Sequence, residues 1–412
     1  MKASIASLAP ADPAAAMPAG LVWLFAIASG LSVANVYYAQ PLLDALGREF
    51  AISDASVGGV VTATQIGCAL ALLLLVPLGD RLNRRRLMGA QLILLIAALV
   101  AVSAATSPLM LLVSMLAVGL LGTAMTQGLI AYAASAAGTH EQGRVLGAAQ
   151  SGVFIGLLLA RVFSGGISDL VGWRGVYLFA ALLMLGIALP LWRRLPALAA
   201  ARSPLSYPQL LASMLTLLRQ EKILQVRGVL ALLMFAAFNI FWCALVLPLS
   251  APPYSYSHTA IGALGLVGVI GALAAGRAGK WADRGYGQRT SAAALVILLL
   301  AWWPLALMAW SPVALMAWSP VALLIGIVLL DLGGQALHVT NQSMIFRTRP
   351  EAHGRLVGLY MLFYAAGSGL GAAATTAVYA AAGWQGVCLL GSAVSLLALM
   401  FWFATRRVAS GK

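Results

Sequence analysis

Asp331 and Arg161 are the charged residues well inside apolar runs of roughly twenty residues, Asp331 within 321–345 and Arg161 within 144–166. An isolated charge at bilayer depth costs several kcal/mol and persists where it faces water, a partner or a ligand. Burial and nearby cations pull a carboxylate's proton affinity in opposite senses, so such a group can load and release a proton as its surroundings change. Asp331, about 21 Å from the inner end of its helix at 1.5 Å per residue, is therefore the first candidate for a proton carrier or a cationic-solute site. A structural Asp, bonded to hydroxyls or paired with Arg161, is the alternative. Arg161, about 17 residues into its run at that rise, is expected nearer the outer surface, where snorkelling, a structural pair and solute contact compete. His338, two turns below Asp331, titrates near neutrality and is a relay candidate, against the commoner role of a hydrogen-bonded core residue.

Uncharged polar and aromatic groups accompany these residues at similar depth: Asn35, Tyr37, Tyr38, Gln40, Gln127, Asn239, Trp242, Gln335 and Asn341. A cavity lined by them suits amphipathic or neutral organic solutes better than small multivalent anions, unless several of them join helices instead. The chain contains no GxxxxGK[ST] phosphate loop, no HExxH and no Ser/His/Asp grouping that its topology would assemble, so enzymatic readings and ATP as energy source fall away. No cofactor is called for. Cys68, Cys243 and Cys388 have neither disulfide nor metal-ligand spacing and read as small core residues.

The elements that hold these residues follow from composition: 62% of residues are hydrophobic, 9% are charged, and the apolar residues come in long uninterrupted runs. The runs give an all-α membrane protein with twelve expected spans: 20–43, 57–79, 87–105, 109–134, 144–166, 174–192, 228–250, 259–278, 291–310, 321–345, 356–380 and 385–404. Of the 25 Lys and Arg, all but Arg48, Arg161 and Arg174 fall in the two tails and in the loops after even-numbered spans. The positive-inside rule then places both termini in the cytoplasm. The same topology explains the net charge of +14 without nucleic acid as a partner. The expected organisation is a tail 1–19, a six-span half 20–193, a cytoplasmic linker 194–227, a second half 228–405 and a tail 406–412. Within the linker, 208–227 suits an amphipathic surface helix; the plainer reading is a tether.

The halves repeat. Asn35 and Asn239, Gly58 and Gly262, and Ser107-Pro108 and Ser311-Pro312 are 204 residues apart; Arg144 and Arg355, Gly156/Ala160 and Gly367/Gly371, and Gly172-Trp173 and Gly383-Trp384 are 211 apart. The extra residues accompany a tandem octapeptide, 306–313 repeated as 314–321, at the expected outer turn between spans 9 and 10. A short insertion in a turn is well tolerated. Deleting one copy is expected to leave transport rate and membrane insertion unchanged in a vesicle assay, and a transport defect in normally inserted protein would show that the repeat does more than lengthen a turn.

Two basic loops, Asp80-Arg81-Leu82-Asn83-Arg84-Arg85-Arg86 and Asp283-Arg284-Gly285-Tyr286-Gly287-Gln288-Arg289, occupy equivalent places after spans 2 and 8. Asp80, Arg81, Arg84, Arg85, Asp283 and Arg284 can act as a latch that forms in one orientation of the halves and breaks in the other; the alternative is that they only satisfy the positive-inside rule. The small residues Gly152, Gly156, Ala160, Gly367, Gly369 and Gly371 permit close helix packing.

Two six-span halves, a central linker and these loops resemble the major facilitator superfamily over essentially the whole chain. Asn35-Val-Tyr-Tyr-Ala-Gln-Pro-Leu42, Pro77-Leu-Gly-Asp-Arg81, Leu330-Asp-Leu-Gly-Gly-Gln335 and His338-Val-Thr-Asn-Gln342 are similar to bacterial drug/proton antiporter-type exporters. Two features depart from that pattern: span 4 has no intramembrane Arg, and span 5 has Ala160-Arg161 where the antiporter motif ends in Gly-Pro. The resemblance implies alternating access, with spans 1, 4, 7 and 10 lining a cavity and spans 5 and 11 in the seam between the halves. It also implies a monomer in the bacterial inner membrane, with lipid, protons and a small solute as partners. Proton-driven efflux is the expected function, with proton-coupled uptake or a transporter-like sensor as alternatives.

Overall fold

The structure, a computed structural model, describes residues 17–137, 141–196, 206–308, 319–346, 348 and 353–406. Every element among them is helical. Span 1 runs through Ala19–Ala34, a series of turns, Gln40–Leu42 and Leu43–Glu49; spans 2, 3 and 4 are Gly59–Gly79, Arg84–Ser103 and Pro108–Ala136. Spans 5 and 6 form one 53-residue helix, Gln142–Arg194, and spans 11 and 12 form another, His353–Thr405. Span 7 is Lys222–Ser250, span 8 is His258–Gly268 followed by Val269–Trp281, span 9 is Arg284–Leu307 and span 10 is Ser319–Phe346. The described helices thus lay out as twelve crossings. Most of the octapeptide repeat lies outside the described residues.

Each long helix is interrupted at one residue, Gly172 at φ 78° or Gly383 at φ 61°. Only glycine enters that region without a steric penalty. The Gly-Trp pairs recognised as repeats are therefore the hinges between paired spans, and the second is pinned by the Trp384 indole donating to Leu305 O at 2.8 Å. Span 4 starts at its Ser-Pro pair: Ser107 Oγ accepts from Met110 N, and Pro108 takes the first helical position, where its missing N–H is harmless.

The stretch 208–227, expected as one surface helix, is divided. A linker helix, Tyr207–Gln220, is opened by a capping box between Ser206 and Gln209, and span 7 begins at Lys222. Arg227, counted above among the linker charges, is consequently inside the second half and fully buried. Its Nη1 donates to Ser291 Oγ of span 9 at 2.7 Å and to Asn341 Oδ1 of span 10 at 3.3 Å.

Backbones approach closely where glycines allow it. A side-chain carbon at Gly152 would stand 2.0 Å from Ala26 O, one at Gly156 2.2 Å from Gly30 O, one at Gly367 2.1 Å from Leu232 O and one at Gly371 2.4 Å from Ala236 O. These four glycines join span 5 to span 1 and span 11 to span 7, inside each half, while a carbon at Gly369 of the same stripe would stand 3.4 Å from Gln65 Cβ of span 2, across the seam. The seam between halves uses the other repeated pair. A carbon at Gly58 would meet Ala372 O at 2.1 Å, and one at Gly262 would meet Arg161 O at 2.2 Å. Arg161 and Ala372 are themselves 211 apart, so both members of each contact are repeat equivalents.

Candidate functional site

The loops after even-numbered spans form the basic end of the bundle; the other is here the far end. Arg161 lies on span 5 against the far-end part of span 8 and is 3% exposed. It is buried, which removes the snorkelling alternative. Its Nε donates to Gln40 Oε1 at 3.1 Å, and Gln40 Nε2 donates to Asn239 Oδ1 at 3.0 Å. This amide chain crosses from the first half to the second. The guanidinium lies over Trp242 at 4.1 Å and near Tyr37 at 5.8 Å, which hold a desolvated cation by their ring faces. Asn239 and Trp242 are three apart on span 7 and share a face.

Asp331 is 4% exposed, and its Oδ2 is buried without a hydrogen-bond partner among the described residues. The short 3-10 segment Leu264–Gly268 of span 8 brings it beside Arg161. In a 3-10 helix residues i and i+3 eclipse, so Gly265 and Gly268 present one face. A carbon at Gly265 would lie 3.3 Å from Arg161 Cδ, and one at Gly268 would lie 2.6 Å from Asp331 Oδ2. The bare face thus receives an Arg from one half and an Asp from the other, one above the next. The two side chains feel each other's charge yet form no ion pair, against the paired alternative. A carboxylate so placed has its charge state set by what approaches it.

The remaining expected residues separate into groups. Tyr37, Gln40, Asn239 and Trp242 belong to the central chain. Gln127 lines a cavity at the basic end. Tyr38 turns into the first half, against Phe163 at 5.3 Å and Tyr177 at 6.4 Å, and is not a cavity residue. Asn35 donates to Leu31 O within its own helix. Asn341 is taken by Arg227, and Gln335 is half-buried. His338 is joined through Nδ1 to Tyr360 O–H at 2.8 Å and packs its edge on Phe235, tying span 10 to spans 11 and 7. It makes no bond to Asp331.

At the basic end, where a latch is expected, Arg84 and Arg85 are bonded within the first half. Arg84 donates to Gly79 O, Ala131 O and Ser135 Oγ, and Arg85 to Trp192 O, all inside the first half. Arg81 and Arg284 are exposed, and the Asp80 and Asp283 side chains lie outside the described residues. A cross-half contact that can act as a latch stands at the far end. Asp169 of the first half accepts from His258 N at 3.1 Å and Thr259 N at 2.8 Å, the opening amides of span 8, and from Thr259 Oγ1 at 2.5 Å. The His258 ring bridges Asp169 Oδ1 at 3.2 Å and Asp44 Oδ1 at 2.9 Å. Below it, a carbon at Gly165 would stand 2.1 Å from His258 O.

This contact is expected to respond to pH. The hydrogen bond to Asp44, aided by Asp169 and opposed by partial burial, raises the His258 pKa above its ordinary value. A raised pKa means that the closed contact is fully stabilised below the ordinary His range and is lost as pH rises through the raised value. A cysteine at Thr62, whose hydroxyl now donates to Gly369 O across the seam at 2.9 Å, reports opening. Its labelling rate is expected to rise with external pH in wild type and to show a flattened pH dependence in His258→Gln. Equal profiles in both proteins would remove His258 from the latch.

The matches to known proteins agree with this architecture. The family model described as Major Facilitator Superfamily matches residues 24–317 and 229–412. The transporter YgaY of Escherichia coli O157:H7 is 41% identical over 390 residues, covering 93% of this chain and 95% of that protein. A Streptomyces coelicolor transporter is 29% identical over 389 residues, covering 93% and 86%. Among solved structures, an inward-facing bacterial homolog of the human lysosomal transporter Spinster superposes with a TM-score of 0.72 at 15% identity, covering 95% and 96%. The human organic anion transporter MFSD10 superposes at 0.65 and 19% identity, covering 93% and 100%. With its repeated halves, its glycine seams and this full-length match, the chain belongs to the Major Facilitator Superfamily of membrane transporters.

Proposed function

We propose that the protein is a proton-coupled secondary transporter that exports an amphipathic or neutral organic solute from the cytoplasm in exchange for protons. The observation that carries this reading is Asp331: a carboxylate at membrane depth with an unpartnered oxygen, set against the first half's Arg161 across a glycine face. A solute O–H or N–H that donates to the ionised Asp331 competes with a proton for the same oxygen. Loading one releases the other, the condition for exchange. Arg161 nearby disfavours a cationic solute, which narrows the sequence-based expectation.

In this proposal the basic end faces the cytoplasm, both termini are cytoplasmic, and the monomeric protein resides in the inner membrane. The latched far end and the cavity at the basic end describe an inward-open state. Closure of the far end places the amide chain of Gln40 and Asn239 between Asp331 and the outside. The proton gradient supplies the energy without a cofactor.

The test is proton flux in inside-out vesicles carrying an imposed pH gradient, with a panel of neutral aromatic compounds, weak acids, sugars, amino acids and lipophilic cations. At least one amphipathic neutral compound or weak acid is expected to collapse the gradient in wild type and not in Asp331→Asn. Collapse of equal size in the variant would overturn the role of Asp331, and solute-dependent gradient formation would replace exchange by cotransport.

A further inference from the structure

At the basic end a cavity of about 380 Å³ opens between spans 2–4 of the first half, span 11 of the second, and the linker helix. That volume suits the body of a drug-sized organic ligand. Its apolar wall includes Leu72, Met88 and Met214, and its polar groups include Gln127, Arg84 and Arg355. Gly79 and Gly354 border it with no heavy atom within 4 Å of where a side-chain carbon would stand. Two arginines line it; Arg84 is bonded to Gly79 O, Ala131 O and Ser135 Oγ, so Arg355 is the one offered to a ligand. Arg355 donates through Nη1 to Ser213 Oγ of the linker helix at 3.1 Å, which fixes its head at the cavity wall.

We propose that this cavity binds an amphipathic monoanion, an apolar chain or ring bearing one carboxylate or phosphate head, and that its occupancy stabilises the inward-open state. The apolar walls exclude a multiply charged solute that would have to shed its water, and the Arg355 guanidinium disfavours a cation. A planar carboxylate or a phosphate oxygen matches the remaining donors of Arg355, while the tail lies against Leu72, Met88 and Met214.

The link to conformation follows from where the walls come from. Spans 2–4 and span 11 belong to opposite halves, so rocking that closes the basic end brings them together and removes the space. The linker helix is fastened to both: Tyr207 O–H donates to Leu74 O at 2.7 Å, in the π-helical turn Ala71–Leu75 of span 2, and Ser213 holds Arg355 of span 11. A helix so fastened is more than a tether. A ligand that fits only one arrangement favours that arrangement in proportion to its differential affinity.

The test uses the full chain in phosphatidylcholine nanodiscs, with decanoate as the probe and decanol as its uncharged counterpart. Decanoate is expected to raise the thermal unfolding midpoint saturably, with decanol at least about tenfold weaker because it forgoes the charge-assisted bonds. Arg355→Gln is expected to bring decanoate down to the decanol level, and Arg355→Lys to retain part of the difference. Met214→Trp, which fills the cavity, is expected to abolish the shift while keeping the unliganded midpoint. Bound decanoate is also expected to slow labelling of a cysteine at Thr62 at the far end. Equal effects of decanoate and decanol, or a decanoate shift that survives Met214→Trp, would overturn the proposal. Transport of labelled decanoate identifies the ligand as a solute on its way through. Displacement of decanoate by phosphatidylglycerol, without such transport, identifies it as an inner-leaflet lipid; both outcomes support the site. Decanoate binding that persists in Asp331→Asn keeps this test separate from the proton-coupling proposal.

Discussion

Asp331→Asn is expected to abolish pH-driven solute movement while leaving solute counterflow intact. Asparagine preserves the shape and size of the side chain that fits against Gly268, so the helix packing is kept and only the titrating proton is lost. A gradient of one pH unit is worth about 1.4 kcal/mol per proton, which drives about tenfold accumulation for each proton exchanged. In the variant that factor falls to one. Counterflow, in which labelled solute exchanges for unlabelled solute with no gradient, needs only binding and rocking and continues. Because the amide oxygen of asparagine still accepts a bond from the solute, loss of both activities would mean that the solute needs the charged carboxylate or that Asp331 holds the fold together; retention of both would place the coupling proton elsewhere.

The second large effect is expected at the far-end seam. In Gly165→Val and Gly262→Val the first added carbon would fall within 2.1 Å and 2.2 Å of a backbone oxygen on the partner span, where no side-chain rotation relieves the overlap. Overpacking of this kind costs about 1–3 kcal/mol, equivalent to a shift of roughly 5- to 150-fold in a two-state equilibrium. Because both contacts belong to the closed far end, the penalty falls on the state in which that end is closed. Labelling of Thr62→Cys is expected to rise and steady-state transport to fall at least about tenfold at the upper part of that range. Gly147→Val is the matched control, since its position has no heavy atom within 4 Å of the added carbon. A fall in transport equal to that of the control would show that the seam yields.

The halves and their repeat were readable from the chain because spacing survives folding. Gly58 and Gly262, found as an offset of 204, turn out to make equivalent contacts with Ala372 and Arg161. Asp331 and Arg161 were readable because a charge in an apolar run is rare and costly. Arg227 was not. It lies five residues into span 7, where a basic residue is ordinarily a loop residue, and its burial depends on acceptors from spans 9 and 10 that no local pattern announces.

The far-end latch escaped for a similar reason. His258 and Asp44 are 214 residues apart, and each alone has the look of an ordinary surface group. Only the docking of spans 5 and 8 brings them together. The glycine stripes of spans 5 and 11 were legible as packing faces, but which helix each glycine meets is decided by topology: Gly152, Gly156, Gly367 and Gly371 meet their own half, and Gly369 meets span 2 of the other. The bare face at Gly265 and Gly268 depends on a local 3-10 winding of span 8, which the apolar sequence around it does not encode visibly.

The most direct test of the central claim counts protons on purified protein. Solute identified in the vesicle assay is added to detergent-solubilised transporter in weakly buffered solution near neutral pH, and the pH change is followed. Wild type is predicted to release protons saturably with solute, up to about one per site at the pH of largest release, and Asp331→Asn to release none while still binding the solute. Undiminished release from the variant would contradict Asp331 as the proton carrier.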